Sequence, residues 1–408
     1  PGIKIPIQVI KEEGAFSWRE LNQSDWGAHQ LEGLFQEERQ FMSNFDFNSE
    51  HNPLLHALLL AESSEQWLLL ITLPSLCADS WSLKSLVKEI GDIYSACLRG
   101  EEIEAEPGQY IQFSEWCNEL LEAKGVETGK VYWQEQKVGS SPFLTIPFER
   151  YSGRQVGFEP RVHTLRLESD LVAKLAAIAT LYKISVADFL LACWQTLLWR
   201  VTGQSEVVVS IVYPGRKYEE LYETLGLLAK SLPVCCSFQE DLKFTEILSN
   251  ISYALATHEK WQEYFLWEDH EQSTDSPLDL PISFEFEMWP GRYESGGISF
   301  SLEKQYVCFE RFKLKLSCML RPESLTAELH YDPELIAPEG ILYLAEQFQA
   351  LVSSALDHPE TTVDELKIMS DRQLQQLLVE FNEPQAAHSS VQWLHHRFEP
   401  QVKLATNH

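Results

Sequence analysis

The chain has 408 residues, 44% of them hydrophobic, a size at which one core stops growing and two packed halves are expected. Its net charge of −29, from 32 Lys and Arg against 61 Asp and Glu, argues against nucleic acid as a partner, because phosphate recognition needs basic surface. No apolar run is long enough to span a bilayer and no charged segment leads into a cleavable apolar leader, so a cytoplasmic chain without a membrane partner is expected.

In chain order, Ile3 to Ile10 reads as a strand, and of the paired apolar runs Leu54 to Leu60 and Trp67 to Leu73 the second reads as a buried strand. A helix follows Trp81, with Leu83, Leu86, Val87, Ile90, Ile93, Tyr94 and Cys97 at helical spacing. Leu73-Pro74-Ser75-Leu76-Cys77-Ala78-Asp79-Ser80-Trp81-Ser82 is therefore a strand-to-helix loop. Another helix runs from about Phe113 to Lys124, and the turn-rich stretch from Gly139 to Arg154 marks a crossover.

The second half opens with the strand Arg161 to Leu167 and a helix from Ser169, the expected N-cap, with Leu171, Val172, Leu175, Ala176 and Ile178 on its buried face. Strands are expected at Val207 to Val212, Leu280 to Glu287, Ile298 to Leu302 and Leu314 to Leu320. A last amphipathic helix carries Leu342, Leu344, Phe348, Leu351 and Leu356. Strands and helices alternate in both halves, which predicts an α/β (α+β) fold with two similar lobes.

The cysteines stand singly except for Cys235 and Cys236. Cys97, Cys193, Cys308 and Cys318 fall in apolar patterns and read as reduced core thiols. No Cys-x-x-Cys pair exists, so no metal site is expected. His395 and His396 read as part of a solvated linker helix.

The loop at 73–82 resembles the His-His-x-x-x-Asp-Gly loop of the condensation domains of nonribosomal peptide synthetases. Aligned through Asp79, the family's histidines fall on Pro74 and Ser75, and its glycine falls on Ser80. Further segments resemble the same family in the same order: Tyr110 to Trp116, Tyr132-Trp133, Leu144 to Pro147, Ser185 to Val209, Pro214-Gly215-Arg216, Leu225 to Val234, Leu329 to Asp332 and Gln373 to Asn382. Lys230 replaces an asparagine of that pattern.

The resemblance implies two chloramphenicol-acetyltransferase-like lobes in a V, with a tunnel between them. It places the N-terminal lobe at 1–155, the C-terminal lobe at 156–382 and a linker toward an adenylation domain at 383–408. The family's opening helix and strands are expected to precede Pro1, and the N-terminal lobe to show an uncovered edge. Upstream and downstream carrier domains and an adjacent adenylation domain are the implied partners. The implied substrates are acyl and aminoacyl thioesters on the 4'-phosphopantetheine of carriers, with no cofactor bound by the domain itself.

The family's second histidine lies beside the acceptor amine and the donor thioester, and proton transfer of that kind is typically worth about 10²- to 10⁴-fold. A hydroxyl at Ser75 has no such basicity, and no histidine flanks the loop to activate it. Asp79 and Arg216 take the family's structural positions and are expected to pair across the cleft, while Pro74, Ser80, Trp81 and Ser82 are the candidate tunnel lining. Three readings stay open: a binding or docking domain weak or silent in amide formation, an amide- or ester-forming domain that works without histidine, and a heterocyclisation or otherwise modified acyl-transfer domain. Heterocyclisation loops read Asp-x-x-x-x-Asp-x-x-Ser, which Asp79 and Ser82 fit and Pro74 does not.

Overall fold

A computed structural model describes residues 14, 16–21, 31–43, 53–102, 108–122, 126–136, 144–150, 158–167, 169–266, 281–375 and 378. The strand expected at Ile3 to Ile10, the linker with His395 and His396, and most of the turn-rich crossover and of the segment Gln373 to Asn382 lie outside them.

Among the described residues, a three-stranded sheet β1-β2-β3 joins β1 (Phe16–Leu21), β2 (Leu55–Ala61) and β3 (Trp67–Thr72), with β1 parallel and β3 antiparallel to β2. Helix α1 (Leu31–Ser43) precedes β2, and α2 (Ser80–Arg99), α3 (Tyr110–Glu122) and α4 (Val126–Glu135) follow β3. The second sheet has six strands in the order β4-β11-β10-β7-β5-β6. These are β4 (Arg161–Leu167), β5 (Glu206–Tyr213), β6 (Lys230–Ser237), β7 (Ile282–Met288), β10 (Leu314–Arg321) and β11 (Ser324–Tyr331). A two-stranded ribbon, β8 (Tyr293–Ser295) and β9 (Ile298–Phe300), packs on α2. Ser295 ties the ribbon to that helix by donating its hydroxyl proton to the Gly91 carbonyl, 2.8 Å away.

Among the described residues, most of the buried core lies in the second half. Helix α6 (Val186–Thr202) is apolar all round, as a helix surrounded by other elements must be, and Asp188 to Leu198 are all buried. Its start is fixed by a capping box: Ser185 Oγ accepts from the Asp188 N–H at 3.0 Å, and the Asp188 carboxylate accepts from the Ser185 N–H at 3.2 Å. Around it pack α5 (Ser169–Tyr182), α7 (Phe244–Trp261) and α8 (Pro338–Asp357), with a short α9 (Asp371–Gln375) after them. β1, α1 and α7 have no counterpart among the elements expected from sequence. Ser169 is the first residue of α5 rather than its cap, an ordinary one-residue difference at a helix end. Leu342 is 50% exposed on α8, outside the stripe of Ile341, Leu344, Phe348 and Leu351 that faces the core.

Alternation along the six-stranded sheet gives it two chemically distinct faces. Ile211, Ile282, Phe284, Leu314, Leu316, Leu329 and Tyr331 are buried in the apolar core with the helices. The other face carries Ser210, Ser283, Glu285, Lys315, Ser317 and His330, all buried, and register aligns them: Ser283 pairs with Ser210 and Lys315, and Lys315 with His330. This polar face lies toward α2 and the loop that precedes it.

Candidate functional site

The 73–82 loop begins with a turn in which the Cys77 N–H donates to the Pro74 carbonyl at 2.8 Å. Asp79 then N-caps α2 from extended backbone, accepting the Ser82 N–H on Oδ1 at 2.8 Å. Its other oxygen, Oδ2, accepts from Arg216 Nη1 at 2.7 Å, from the Leu228 N–H at 2.9 Å and from the Ala229 N–H at 3.0 Å. Ser82 Oγ lies 2.8 Å from Asp79 Oδ1 and 2.7 Å from the Gly226 carbonyl, with one proton to donate. It also accepts from Arg216 Nη2 at 2.8 Å and from the Gly226 N–H at 3.0 Å.

Arg216 and Asp79 side chains are 0% and 1% exposed, so this is a buried ion pair whose hydrogen bonds replace most of the lost hydration. Arg216 also donates to the carbonyls of Pro214 and Thr224, at 3.0 and 2.9 Å. The preceding Gly215 has φ +67°, and a Cβ there would sit 1.9 Å from the Leu228 carbonyl oxygen, so only glycine allows the turn that delivers Arg216. Trp81 covers the pair, with its ring centroid 5.9 Å from the Arg216 guanidinium carbon and its Nε1–H donated to the Tyr222 carbonyl at 2.8 Å.

Beside this latch lies a cavity of about 1260 Å³ between α2 and β7, closed further by Arg292, Tyr293 and Phe300. Ser80 and Trp81 line it, as does Asp79. Pro74, Ser75 and Ser82 are not among its described walls: Pro74 is buried, Ser75 is half-buried in the turn and Ser82 is turned into the latch. Among the described residues no histidine lines the cavity. Several apolar residues of α2 are only half-buried because Val87 and Ile93 face this space instead of a packed core, and Tyr94 and Cys97 are exposed.

The cavity also has a charged wall that sequence reasoning missed. Glu285 Oε2 lies 2.5 Å from Lys315 Nζ, and Ser80 Oγ donates to Glu285 Oε1 at 3.4 Å, joining the loop to β7. Glu287 Oε2 lies 3.2 Å from Lys84 Nζ and accepts from Gln305 Nε2 at 3.2 Å. Burial alone would raise the Glu285 carboxyl, but Lys315 outweighs it and holds Glu285 below the usual range. Glu287 is pushed up by burial and then by the like charge of Glu285. His330, lowered by burial and so neutral, donates Nε2–H to Glu328 at 3.0 Å. The signal was present in the strand pattern, where Ser283, Glu285 and Glu287 alternate with Ile282, Phe284 and Phe286, a polar face on what is otherwise a buried strand.

Cys193 and Cys318 are core thiols as expected, but Cys97 is exposed and Cys308 half-buried, because the helix face of one and the irregular segment of the other lie off the main core. Cys77, next to the motif, is half-buried and its thiol is raised by burial, so it is not an activated nucleophile. Among the described residues no group of three His, Cys, Asp or Glu side chains is placed to hold a metal ion.

A condensation-domain family model matches residues 4–378. This chain belongs to the condensation-domain family. It is 24% identical over 416 residues to bacitracin synthase 2 of Bacillus licheniformis, an alignment that covers 99% of this chain and 15% of the length of that relative. The first condensation domain of the calcium-dependent antibiotic synthetase, solved with a substrate analogue, superposes with a TM-score of 0.71 at 18% identity, covering 86% of this chain and 78% of that one. The X-domain solved in complex with OxyB from teicoplanin biosynthesis gives 0.71 at 17% identity, covering 88% and 80%. The α/β architecture is thus the chloramphenicol-acetyltransferase-like fold of condensation domains.

Proposed function

We propose that this condensation domain works within a nonribosomal peptide synthetase and receives carrier-tethered acyl or aminoacyl thioesters in the cavity between α2 and β7, with ordinary amide formation weak or absent. The observation that carries this reading is the combination of a buried Asp79–Arg216–Ser82 latch, in which both Asp79 oxygens are hydrogen-bonded, with a large cavity whose described walls hold no imidazole. A cavity of this volume accommodates a substrate-sized ligand. The latch keeps the loop's shape without supplying a base. Ser75 takes the position of the family's second histidine but lies off the described cavity walls, so it has neither the basicity nor the placement for proton transfer.

In this reading the lobes divide at 1–155 and 156–382, with 383–408 leading toward an adenylation domain, and the substrates arrive on the phosphopantetheine arms of neighbouring carriers. No single helix among the described residues is long and apolar enough to cross a membrane, in keeping with a proposed cytoplasmic location. A second reading, a histidine-independent amide- or ester-forming domain, is favoured by the carboxylates of Glu285 and Glu287 on the cavity wall, because positioning alone can lower a barrier by several kcal/mol.

The test is a condensation assay with loaded upstream and downstream carriers, followed by mass spectrometry of the carrier-bound products. Little product over many hours, with carriers remaining loaded, is the expected result. Robust turnover, abolished by Ser80→Trp in the cavity wall, would establish the second reading instead.

A further inference from the structure

Lys84 and Glu287 form the only described pair in which a cavity-lining cation from α2 meets a cavity-lining carboxylate from β7. Lys84 Nζ, 3.2 Å from Glu287 Oε2, also donates to the Met288 carbonyl at 3.4 Å. The wall of the cavity therefore already holds a primary ammonium, between one carboxylate and one backbone carbonyl. Its holder is anchored and its occupant is not. Glu287 sits on β7 opposite Met319 of β10 and is braced by Gln305. Lys84 reaches in on a flexible four-carbon stem and keeps 21% of its side chain exposed, so its head group can return to water at low cost.

We propose that Glu287 and the Met288 carbonyl are a receptor for the primary ammonium of a ligand in this cavity, and that Lys84 is the intramolecular occupant such a ligand displaces. The inference rests on the reading of the cavity as the site for tethered thioesters and adds which group of an aminoacyl chain is gripped there. Exchange of one ammonium for another conserves charge, so the buried wall tolerates it. Glu285 on the same strand stays compensated by Lys315 from β10 throughout. A ligand without an amine leaves Lys84 in place and gains nothing from Glu287. The wall thereby separates aminoacyl from acyl groups.

Three charged groups face Glu287: Glu285 beside it on β7, Lys84 from α2 and Lys315 from β10. With burial and Glu285 both raising its carboxyl, the receptor should lose its charge at a higher pH than an ordinary glutamate, and amine binding should fall as pH drops through that range.

The experiment is calorimetric binding of two non-hydrolysable pantetheine analogues to the full chain, one carrying an amide-linked glycyl group with a free amine and the other an acetyl group. The glycyl analogue should bind more tightly than the acetyl one. Glu287→Gln, which keeps the shape and the Gln305 contact, should weaken the glycyl analogue by about tenfold or more and leave the acetyl analogue unchanged. Lys84→Met should tighten the glycyl analogue by removing its competitor, a result that does not depend on the stability of the Glu287 variant. Equal binding of both analogues, or a glycyl affinity indifferent to both substitutions, overturns the receptor and leaves the cavity reading standing. Binding of neither analogue overturns the cavity reading and the receptor with it.

Discussion

Among the described residues, two ion pairs connect the α2 region to the second half of the molecule, and they are built to opposite specifications. Asp79 and Arg216 are 1% and 0% exposed and 2.7 Å apart, and both carboxylate oxygens accept backbone N–H bonds as well as the ion pair or a hydroxyl. Lys84 and Glu287 are 21% and 11% exposed and 3.2 Å apart, and both line the cavity. A pair buried on both sides is closed to a ligand and serves as a fixed strut. A pair open to a cavity can exchange a partner. On the proposed reading, the family's structural positions carry geometry and recognition falls to residues outside the motif.

The largest expected effect comes from breaking the strut. Arg216→Ala leaves Asp79 buried without its counter-charge and should cost about 3–5 kcal/mol, read as a large fall in melting temperature. A fall no larger than that of an exposed arginine substitution would mean the pair is dispensable and the contrast with Lys84 is false.

A buried titratable group held neutral extends the comparison. His258 on α7 donates Nε2–H to the Pro233 carbonyl at 3.0 Å and accepts the Tyr132 hydroxyl proton on Nδ1 at 2.7 Å. Burial pushes Tyr132 up to about 12, so it remains a donor at neutral pH. His258 itself is lowered by burial from 6.5 to about 4. A depressed folded-state value means the contribution is present above pH 6.5 and is lost as pH falls toward 4, with an upper size on the order of 3 kcal/mol. Chemical denaturation across that window should show the loss, and His258→Gln should flatten the slope; an unchanged slope in that variant would assign the pH dependence elsewhere.

The smallest effect belongs to Lys84→Met, which should change stability by clearly less than Arg216→Ala, since Lys84 keeps access to water and Glu287, already raised by burial and by Glu285, can take up a proton. A loss as large as that of Arg216→Ala would make Lys84 a second strut and remove it as a displaceable occupant.

The apolar run of β5 was legible because burial on both faces leaves a continuous hydrophobic signal, and α6 was legible through the resemblance at Ser185 to Val209; β2 and β3 show the same kind of run, yet Trp67 and Leu69 are exposed, so β3 is less buried than expected. Asp79 and Arg216 were legible through the resemblance, because they match the family's loop aspartate and Gly-Arg turn; that Asp79 also caps α2 was not. α7 was not, although Phe244, Ile247, Leu248 and Ile251 mark its buried face, because the charged and histidine-bearing tail after Thr257 resembles a loop. β1 was missed because only half-exposed residues such as Phe16 and Trp18 show along it. The cavity wall was missed for a different reason. Glu285, Lys315 and Lys84 come from three elements far apart in sequence, and only strand register and the docking of α2 bring them together.

The most direct test of a scaffold retained without its base is the double variant Pro74→His and Ser75→His, assayed for condensation with loaded upstream and downstream carriers alongside the unaltered chain. Because Ser75 lies off the described walls of the cavity, the restored imidazoles should raise product well short of the roughly 10²-fold that a positioned base supplies. A gain of that size or more would contradict it, and would show an intact reaction centre at the loop that lacks only its histidines.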